Sequence, residues 1–197
     1  MKKIDIIISP IIGFLIGVFF FISLKTLQIK IPHSWLLLIV FPPLTLLGLF
    51  TASLIGKKFL AIYQAAKFVL VGALNTFIDL GVLNLLMWIF GVFVGPAYSV
   101  FKSVSFLTAT INSYLWNKHW TFGKREEVFA AKEYSKFLIV VIIGFFINVG
   151  IASFVVNVIG PQFGIGAKMW ANVGAFAAIL VAWIWNFTGA KFIVFKS

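Results

Sequence analysis

The chain of 197 residues contains no cysteine, only two histidines and only five acidic residues. The absence of cysteine excludes disulfides and thiolate metal sites, and His33 and His119 are too few for a histidine metal cluster. The sequence also has no Gly-rich phosphate loop, no paired catalytic carboxylates and no nucleophile next to a base. We therefore expect a protein that is not an enzyme and that has no resident cofactor or metal.

Charged residues are scarce throughout the chain. They make up 11% of it, whereas 62% of the residues are hydrophobic and the mean hydropathy is +1.10. Six stretches approach or exceed the roughly 20 residues that a helix needs to cross a membrane. They are residues 6–24, 34–56, 68–90, 97–116, 137–159 and 169–188. The sequence predicts an all-α polytopic membrane bundle of six transmembrane helices, with no room for a soluble catalytic domain.

The last four of these stretches repeat one pattern at a constant spacing of 69 residues. The matching pairs are Lys67-Phe68 with Lys136-Phe137, Ile78-Asp79 with Ile147-Asn148, Gly81 with Gly150, and Trp116-Asn117 with Trp185-Asn186. Each copy contains two hydrophobic segments, so the copies share one orientation. The sequence therefore predicts two tandem hairpin repeats related by an axis along the membrane normal.

The net charge of +11 comes from cations that alternate between the loops. Twelve lysines and arginines, Lys67 among them, fall on one side of the predicted spans and four fall on the other. By the positive-inside rule, this bias predicts a protein of the cytoplasmic membrane with both termini cytoplasmic. The basic loops are expected to attract anionic lipid headgroups, and their distribution argues against nucleic acid as a partner.

Four of the acidic residues, Asp5 among them, are assigned to cytoplasmic segments, which leaves Asp79 alone inside the membrane. A carboxylate at this depth normally faces the protein interior or a watery cavity. Asn75 lies one turn earlier on the same helix face, and Lys102 on the next span is the first choice of partner. A polar substrate pocket and a purely structural ion pair both remain open at this point.

Other polar residues extend this series. Asn112, Asn148, Asn172 and Asn186 fall within or at the ends of later spans, where buried amides commonly hold helices together. Lys118 and Lys191 occupy matching places at the ends of the two repeats, so they are able to cradle a lipid phosphate. The alternative for both lysines is ordinary snorkelling to the membrane surface.

Three ordered motifs connect the chain to a known family. They are Lys67-Phe68-Val69-Leu70-Val71-Gly72 with Asn75-Thr76 and Asp79, then Asn112-Ser113-Tyr114 through Asn117-Lys118-His119-Trp120-Thr121-Phe122, and finally Trp185-Asn186-Phe187-Thr188-Gly189 with Lys191-Phe192. Over about residues 60–197 this pattern resembles the GtrA-like family. The resemblance implies four-span membrane proteins that are implicated in cell-surface polysaccharide and teichoic-acid glycosylation and are proposed to translocate polyprenyl-phosphate-linked sugars. A similar domain is fused to some dolichyl-phosphate mannose synthases.

The N-terminal part departs from the four-span pattern of that family. We divide the chain into a two-helix membrane extension, residues 1–56, and a GtrA-like four-helix domain, residues 57–197. Gly13 and Gly17 form a small-residue face suited to close helix contact, and Pro42-Pro43 predicts a bend rather than a boundary. The extension either enlarges a lipid-facing groove or docks a partner.

These observations favour translocation of a polyprenyl-phosphate-linked sugar. The expected substrate-binding residues are Asn75, Asp79, Lys102, Asn112, Asn117, Lys118, Asn148, Asn186 and Lys191. The first alternative is a non-transporting subunit that anchors a glycosyltransferase through the basic 117–136 loop, and the second is a small-cation exporter, against which nearby Lys102 argues. The expected partners are the lipid-linked sugar, membrane lipids and a membrane-associated glycosyltransferase. Four repeat helices are few for enclosing a headgroup path, which allows for a homodimer without establishing one.

Overall fold

The computed structural model describes residues 1–56, 60–121 and 131–189. Within these residues the chain forms six α-helices and no strand. They are α1 (Lys3–Thr26), α2 (Leu37–Gly56), α3 (Leu60–Phe90), α4 (Pro96–Trp116), α5 (Ala131–Ser153) and α6 (Ala167–Gly189). A short 3₁₀ turn, Ser34–Leu36, precedes α2, and π-helical turns follow α4 (Asn117–Thr121) and α5 (Phe154–Ile159).

The helices have the length and composition of membrane spans. Five of the six described helices are long and apolar enough to cross a bilayer. The remaining helix, α4, has 21 residues but carries Lys102, Asn112 and several hydroxyl side chains. Large apolar side chains face outwards, as Val69, Phe146 and Ile184 show with more than half of their surface exposed, which suits contact with lipid. The predicted helical membrane bundle is therefore confirmed.

Two helices extend beyond the predicted membrane spans. The third span is predicted at residues 68–90, and α3 begins at Leu60 and includes Lys67, which the charge pattern assigns to a loop. Lys67 is buried within the protein, where its charge is paired with that of Asp5. Likewise, α5 begins at Ala131, six residues before the predicted start.

The chain divides into two compact units. The first contains Met1–Leu85 and Thr108–Arg125, and the second contains Leu86–Leu107 and Glu126–Ser197. The first unit therefore joins α1 and α2 to most of α3 and the end of α4. Its core is apolar and consists of Ile12, Ile16, Leu49, Val71, Leu74, Ile78, Ala109 and Trp120. The domain division at residue 56 stays a prediction.

In the second unit, polar side chains join the start of α4 to α5 and α6. The Asn157 side chain accepts a hydrogen bond from the Gly95 amide at 2.6 Å, and the Ser153 hydroxyl donates to Ser99 Oγ at 2.7 Å. The Tyr98 hydroxyl, fully buried, donates to the Ala171 carbonyl at 2.9 Å. These bonds supply partners that a lipid environment does not offer.

Close contact between α1 and α2 depends on two glycines. A methyl group at Gly13 would lie 2.5 Å from the Phe41 carbonyl oxygen, and one at Gly17 would lie 2.6 Å from that of Leu37. The Thr45 hydroxyl lies 2.8 Å from the Ser9 carbonyl oxygen, within donating distance across the same interface. The predicted small-residue face is confirmed, and it lets the two backbones approach each other.

Two adjacent prolines lie inside α2 without ending it. The helix continues through Pro42 and Pro43 to Gly56, as predicted. Each proline removes one backbone donor from the helix. The Thr45 hydroxyl lies 3.0 Å from both the Phe41 and the Pro42 carbonyl oxygens, within donating distance of the turn that contains the prolines.

We predict that Gly13→Ala and Gly17→Ala lower the thermal unfolding temperature of the purified protein in detergent. Each added methyl overlaps a backbone carbonyl of α2, and overpacking typically costs about 1–3 kcal/mol. Gly48→Ala on α2 is the matched control, because a methyl there meets open space and alanine favours the helix. Equal unfolding temperatures for Gly13→Ala and Gly48→Ala would contradict the close contact.

Candidate functional site

A buried carboxylate at the start of α1 collects four donors. Asp5 Oδ1 accepts hydrogen bonds from Lys67 Nζ at 2.5 Å and from Trp120 Nε1 at 2.9 Å. Asp5 Oδ2 accepts from the Tyr63 hydroxyl at 2.6 Å and from the backbone amide of Lys2 at 3.0 Å. The first turn of α1, the first turns of α3 and the π-helical turn after α4 thus meet at one group, which we call the Asp5 cluster.

The ion pair and the Trp120 indole of the Asp5 cluster are buried, and Tyr63 is half-buried. Asp5 is 0% exposed, Lys67 is 5% exposed and Trp120 is 4% exposed. The Lys67 ammonium also lies 4.8 Å from the centre of the Tyr63 ring and 5.0 Å from that of the Trp120 ring. Aromatic faces stabilise a cation at such distances. Because both charges are paired and hydrogen-bonded, burial of this ion pair is tolerated.

The sequence analysis assigns Asp5 to a cytoplasmic segment and gives it no partner, whereas the structure buries it inside the protein, so Asp79 is not the only buried acid. Asp5 lies within α1 and pairs with Lys67, which lies within α3. A signal for this site was present, because an acidic residue in the first turn of a long apolar helix is stabilised there by the helix dipole. The sequence does not predict its partner, because 62 residues separate the two side chains.

The structure joins two of the predicted site residues. Asn112 Nδ2 donates to Asn75 Oδ1 at 2.7 Å, and Trp116 Nε1 donates to Asn112 Oδ1 at 3.0 Å. The bond links α3 to α4 within the first unit. Asn117 Nδ2 donates to Ser113 Oγ at 3.3 Å, whereas Asn117 Oδ1 is buried with no partner among the described residues.

Asp79 and Lys102, the predicted pair, are both buried, with exposures of 4% and 0%. Asp79 belongs to the first unit and Lys102 to the second, so their pairing stays a prediction. Asn148, which matches Asp79 in the repeat, is 2% exposed, and its Oδ1 has no partner within the described part of the chain. The side chains of Lys118 and Asn186, and the whole of Lys191, lie outside the described residues.

Two buried hydroxyls are close in sequence to members of the Asp5 cluster. Ser9 follows Asp5 by one turn on the same face of α1, and Thr121 follows Trp120 directly. Ser9 is 0% exposed and Thr121 is 4% exposed, and neither hydroxyl has a hydrogen-bond partner in the described ranges. A buried hydroxyl without a partner has a free energy cost.

An apolar groove of about 350 Å³ opens between the N-terminal helices and α3. Its lining contains a single polar side chain, Thr45. Gly48, Ala66 and Ala73 form the shallow part of its wall, and Phe41 and Phe77 close one end. Leu70, which also lines the groove, follows Lys67 by three residues and so lies on the neighbouring surface of α3. The groove is open to the side, where lipid chains would surround the protein.

These features define a polytopic helical membrane protein whose apolar spans bury charged and amide side chains. The part of the chain that the structure describes contains no group of three or more His, Cys, Asp or Glu residues able to hold a metal ion. The family model described as GtrA/DPMS, transmembrane domain, matches residues 67–195. The chain therefore belongs to the GtrA/DPMS transmembrane domain family, which confirms the resemblance in its motifs. No curated protein and no solved structure matches it.

We predict that Asp5→Asn and Lys67→Met each lower the stability of the protein by about 3–5 kcal/mol, the usual cost of removing one partner of a buried ion pair. The double variant should lose less than the sum of the two, because it leaves no uncompensated charge. Equilibrium unfolding in detergent measures all three. Lys25→Met is the control, since Lys25 is exposed at the other end of α1. Strictly additive losses would exclude the pair as a coupled unit.

Proposed function

We propose that this protein translocates a polyprenyl-phosphate-linked sugar across the cytoplasmic membrane, with both termini on the cytoplasmic side. The family is of the polyprenyl-phosphate-sugar translocase type, whose members are generally not enzymes. The observation that carries the proposal is the set of polar side chains within the apolar helices of the family domain. Asp79, Lys102 and Asn148 are buried, and the hydrogen-bonded pair Asn75 and Asn112 is half-buried.

The chemistry of such a lipid explains why these residues matter. Its tail remains in hydrocarbon, but its phosphate and sugar must cross about 30 Å of apolar medium. Without partners, each hydroxyl and charge in that medium costs several kcal/mol. The Asn75–Asn112 bond can open to hydrogen-bond a sugar, and Asn148 Oδ1 already lacks a donor among the described residues. Asp79 and Lys102 add one charge of each sign.

The proposed role supplies sugars for cell-surface polysaccharide or teichoic-acid glycosylation. Its partners would be the lipid-linked sugar, the surrounding lipids and a membrane-associated glycosyltransferase, with a homodimer as a further proposal. No energy source is needed if consumption of the sugar on the outer face drives net movement. The basic loops would then bind anionic lipid headgroups at the membrane surface and take no part in transport.

We predict that the purified protein in liposomes moves a polyprenyl-phosphate sugar between leaflets, read by oxidation of the sugar with a membrane-impermeant reagent. Asp79→Asn, Lys102→Ala and Asn148→Leu should each slow this movement by at least about tenfold, which corresponds to roughly 1.4 kcal/mol at the barrier. The reason is that each change removes a polar group from the proposed path.

Thr51→Val serves as the control, because the Thr51 hydroxyl on α2 is exposed and bonds only to the Gly48 carbonyl in the described structure. Its rate should equal that of the wild type. No movement above that of empty liposomes, with folded protein and several lipid-linked sugars, would reject translocation. It would favour the alternative role, a membrane subunit that anchors or orients a glycosyltransferase.

A further inference from the structure

The donors around Asp5 have the composition of an anion site. An ammonium, an indole N–H and a phenol O–H converge on one pair of oxygens, at 2.5, 2.9 and 2.6 Å. These three groups come from α3 and from the turn after α4, not from the helix that carries the anion. All three groups donate here and the ammonium carries a positive charge, so the cluster favours an anionic acceptor and disfavours a cation.

The anion and its donors belong to different parts of the chain. Lys67 and Trp120 lie within the matched family domain, residues 67–195, whereas Asp5 lies in the extension that precedes it. The family domain therefore presents a cation and an N–H at this end of α3 and α4, and the extension supplies the carboxylate that fills the space between them. The Asp5 carboxylate therefore occupies a position where an anion from a bound ligand would meet the same donors.

The chemistry of the donors suits a phosphate group. Lysine binds phosphate as a point charge, and hydrogen bonds from N–H and O–H groups to an ionised acceptor are strong. A phosphate has more oxygens than a carboxylate. Ser9 and Thr121, whose buried hydroxyls lack partners among the described residues, are close to the cluster in sequence and are candidates for further donors. The π-helical turn that carries Trp120 and Thr121 is of a kind that frequently occurs at functional sites.

The apolar groove runs along α3, the helix that carries Lys67, and its lining suits a lipid chain. Ala66 and Leu70 line the groove on either side of Lys67 in the sequence of α3. The lining on α3 extends from Ala66 to Phe77, about 16 Å at 1.5 Å per residue, which is enough for several isoprene units. A phosphate on a long unsaturated chain would place its charge at the Asp5 cluster and its first isoprene units along Leu70 and Ala73.

We propose that Tyr63, Lys67 and Trp120 bind the phosphate of the lipid substrate, and that Asp5 occupies this site when no lipid is bound. The identity of the lipid rests on the proposed function, whereas the phosphate site itself is testable without transport. The first turn of α1 and the lipid phosphate then compete for the same donors. Removal of the Asp5 carboxylate opens the site.

The experiment compares the wild type with Asp5→Ala and Asp5→Asn in detergent, by thermal unfolding with four additives. The additives are sodium chloride at matched ionic strength, inorganic phosphate, farnesyl phosphate and farnesol. In both variants we expect each phosphate probe, at about a hundredfold above its Kd, to raise the unfolding temperature by about 5 °C or more. The wild type should respond at least about tenfold more weakly in apparent affinity, because Asp5 competes.

Two control variants assign the response to the site. Lys67→Met in the Asp5→Ala background removes the cation and should abolish the effect of both phosphate probes. Gly48→Phe in the same background fills the groove, since Gly48 faces open space. It should weaken the effect of farnesyl phosphate and leave that of inorganic phosphate unchanged. Farnesyl phosphate should bind more tightly than inorganic phosphate only while the groove is open.

The proposal is overturned if neither folded Asp5 variant responds to a phosphate probe, or if the response survives Lys67→Met. Equal affinity for inorganic and farnesyl phosphate would reject the lipid as ligand. A variant that does not fold in plain buffer is prepared in phosphate, and failure of both variants to fold there also counts against the site. The unfolding measurement does not depend on transport. If phosphate stabilises the Asp5 variants but the protein moves no sugar in liposomes, the proposed translocation is rejected and the proposed phosphate site is not.

Discussion

A charge buried in an apolar medium must find its counter-charge, and the Asp5–Lys67 pair is where this constraint shapes the molecule most. The pair fixes the first turn of α1 against α3, and the Trp120 indole adds the turn after α4. Three segments that are far apart in sequence are held at one point. The N-terminal helices and the start of the family domain therefore form part of one compact unit.

The same constraint applies to α2. A helix that contains Pro42 and Pro43 lacks two backbone donors, and hydrocarbon offers no water in their place. In the same region Gly13 and Gly17 let α1 approach the carbonyls of Phe41 and Leu37, and the Thr45 hydroxyl lies within donating distance of carbonyls on both helices. The small residues on α1 and the prolines on α2 therefore belong to one closely packed interface.

Hydropathy is a local property, so the sequence alone predicted the six helices and the contact face of Gly13 and Gly17. It placed the start of α3 at Phe68, because a lysine in isolation reads as the end of a span. Lys67 is buried within α3 with Asp5 as its counter-charge, and that pairing depends on tertiary packing across 62 residues. Asn75 and Asn112 were both predicted as site residues, but their mutual hydrogen bond was not, since spacing along two helices does not define their relative rotation.

The Asp5 cluster and the amide pair are connected through two tryptophans. Trp120 donates to Asp5, its ring meets that of Trp116 edge to face at 6.2 Å, and Trp116 donates to Asn112. Asn112 in turn donates to Asn75. A continuous series of contacts therefore joins the Asp5 carboxylate at the start of α1 to the amide pair between α3 and α4. If a phosphate displaces that carboxylate, the Trp120 indole loses its acceptor, and this series is the shortest route of direct contacts by which the change would reach Asn75.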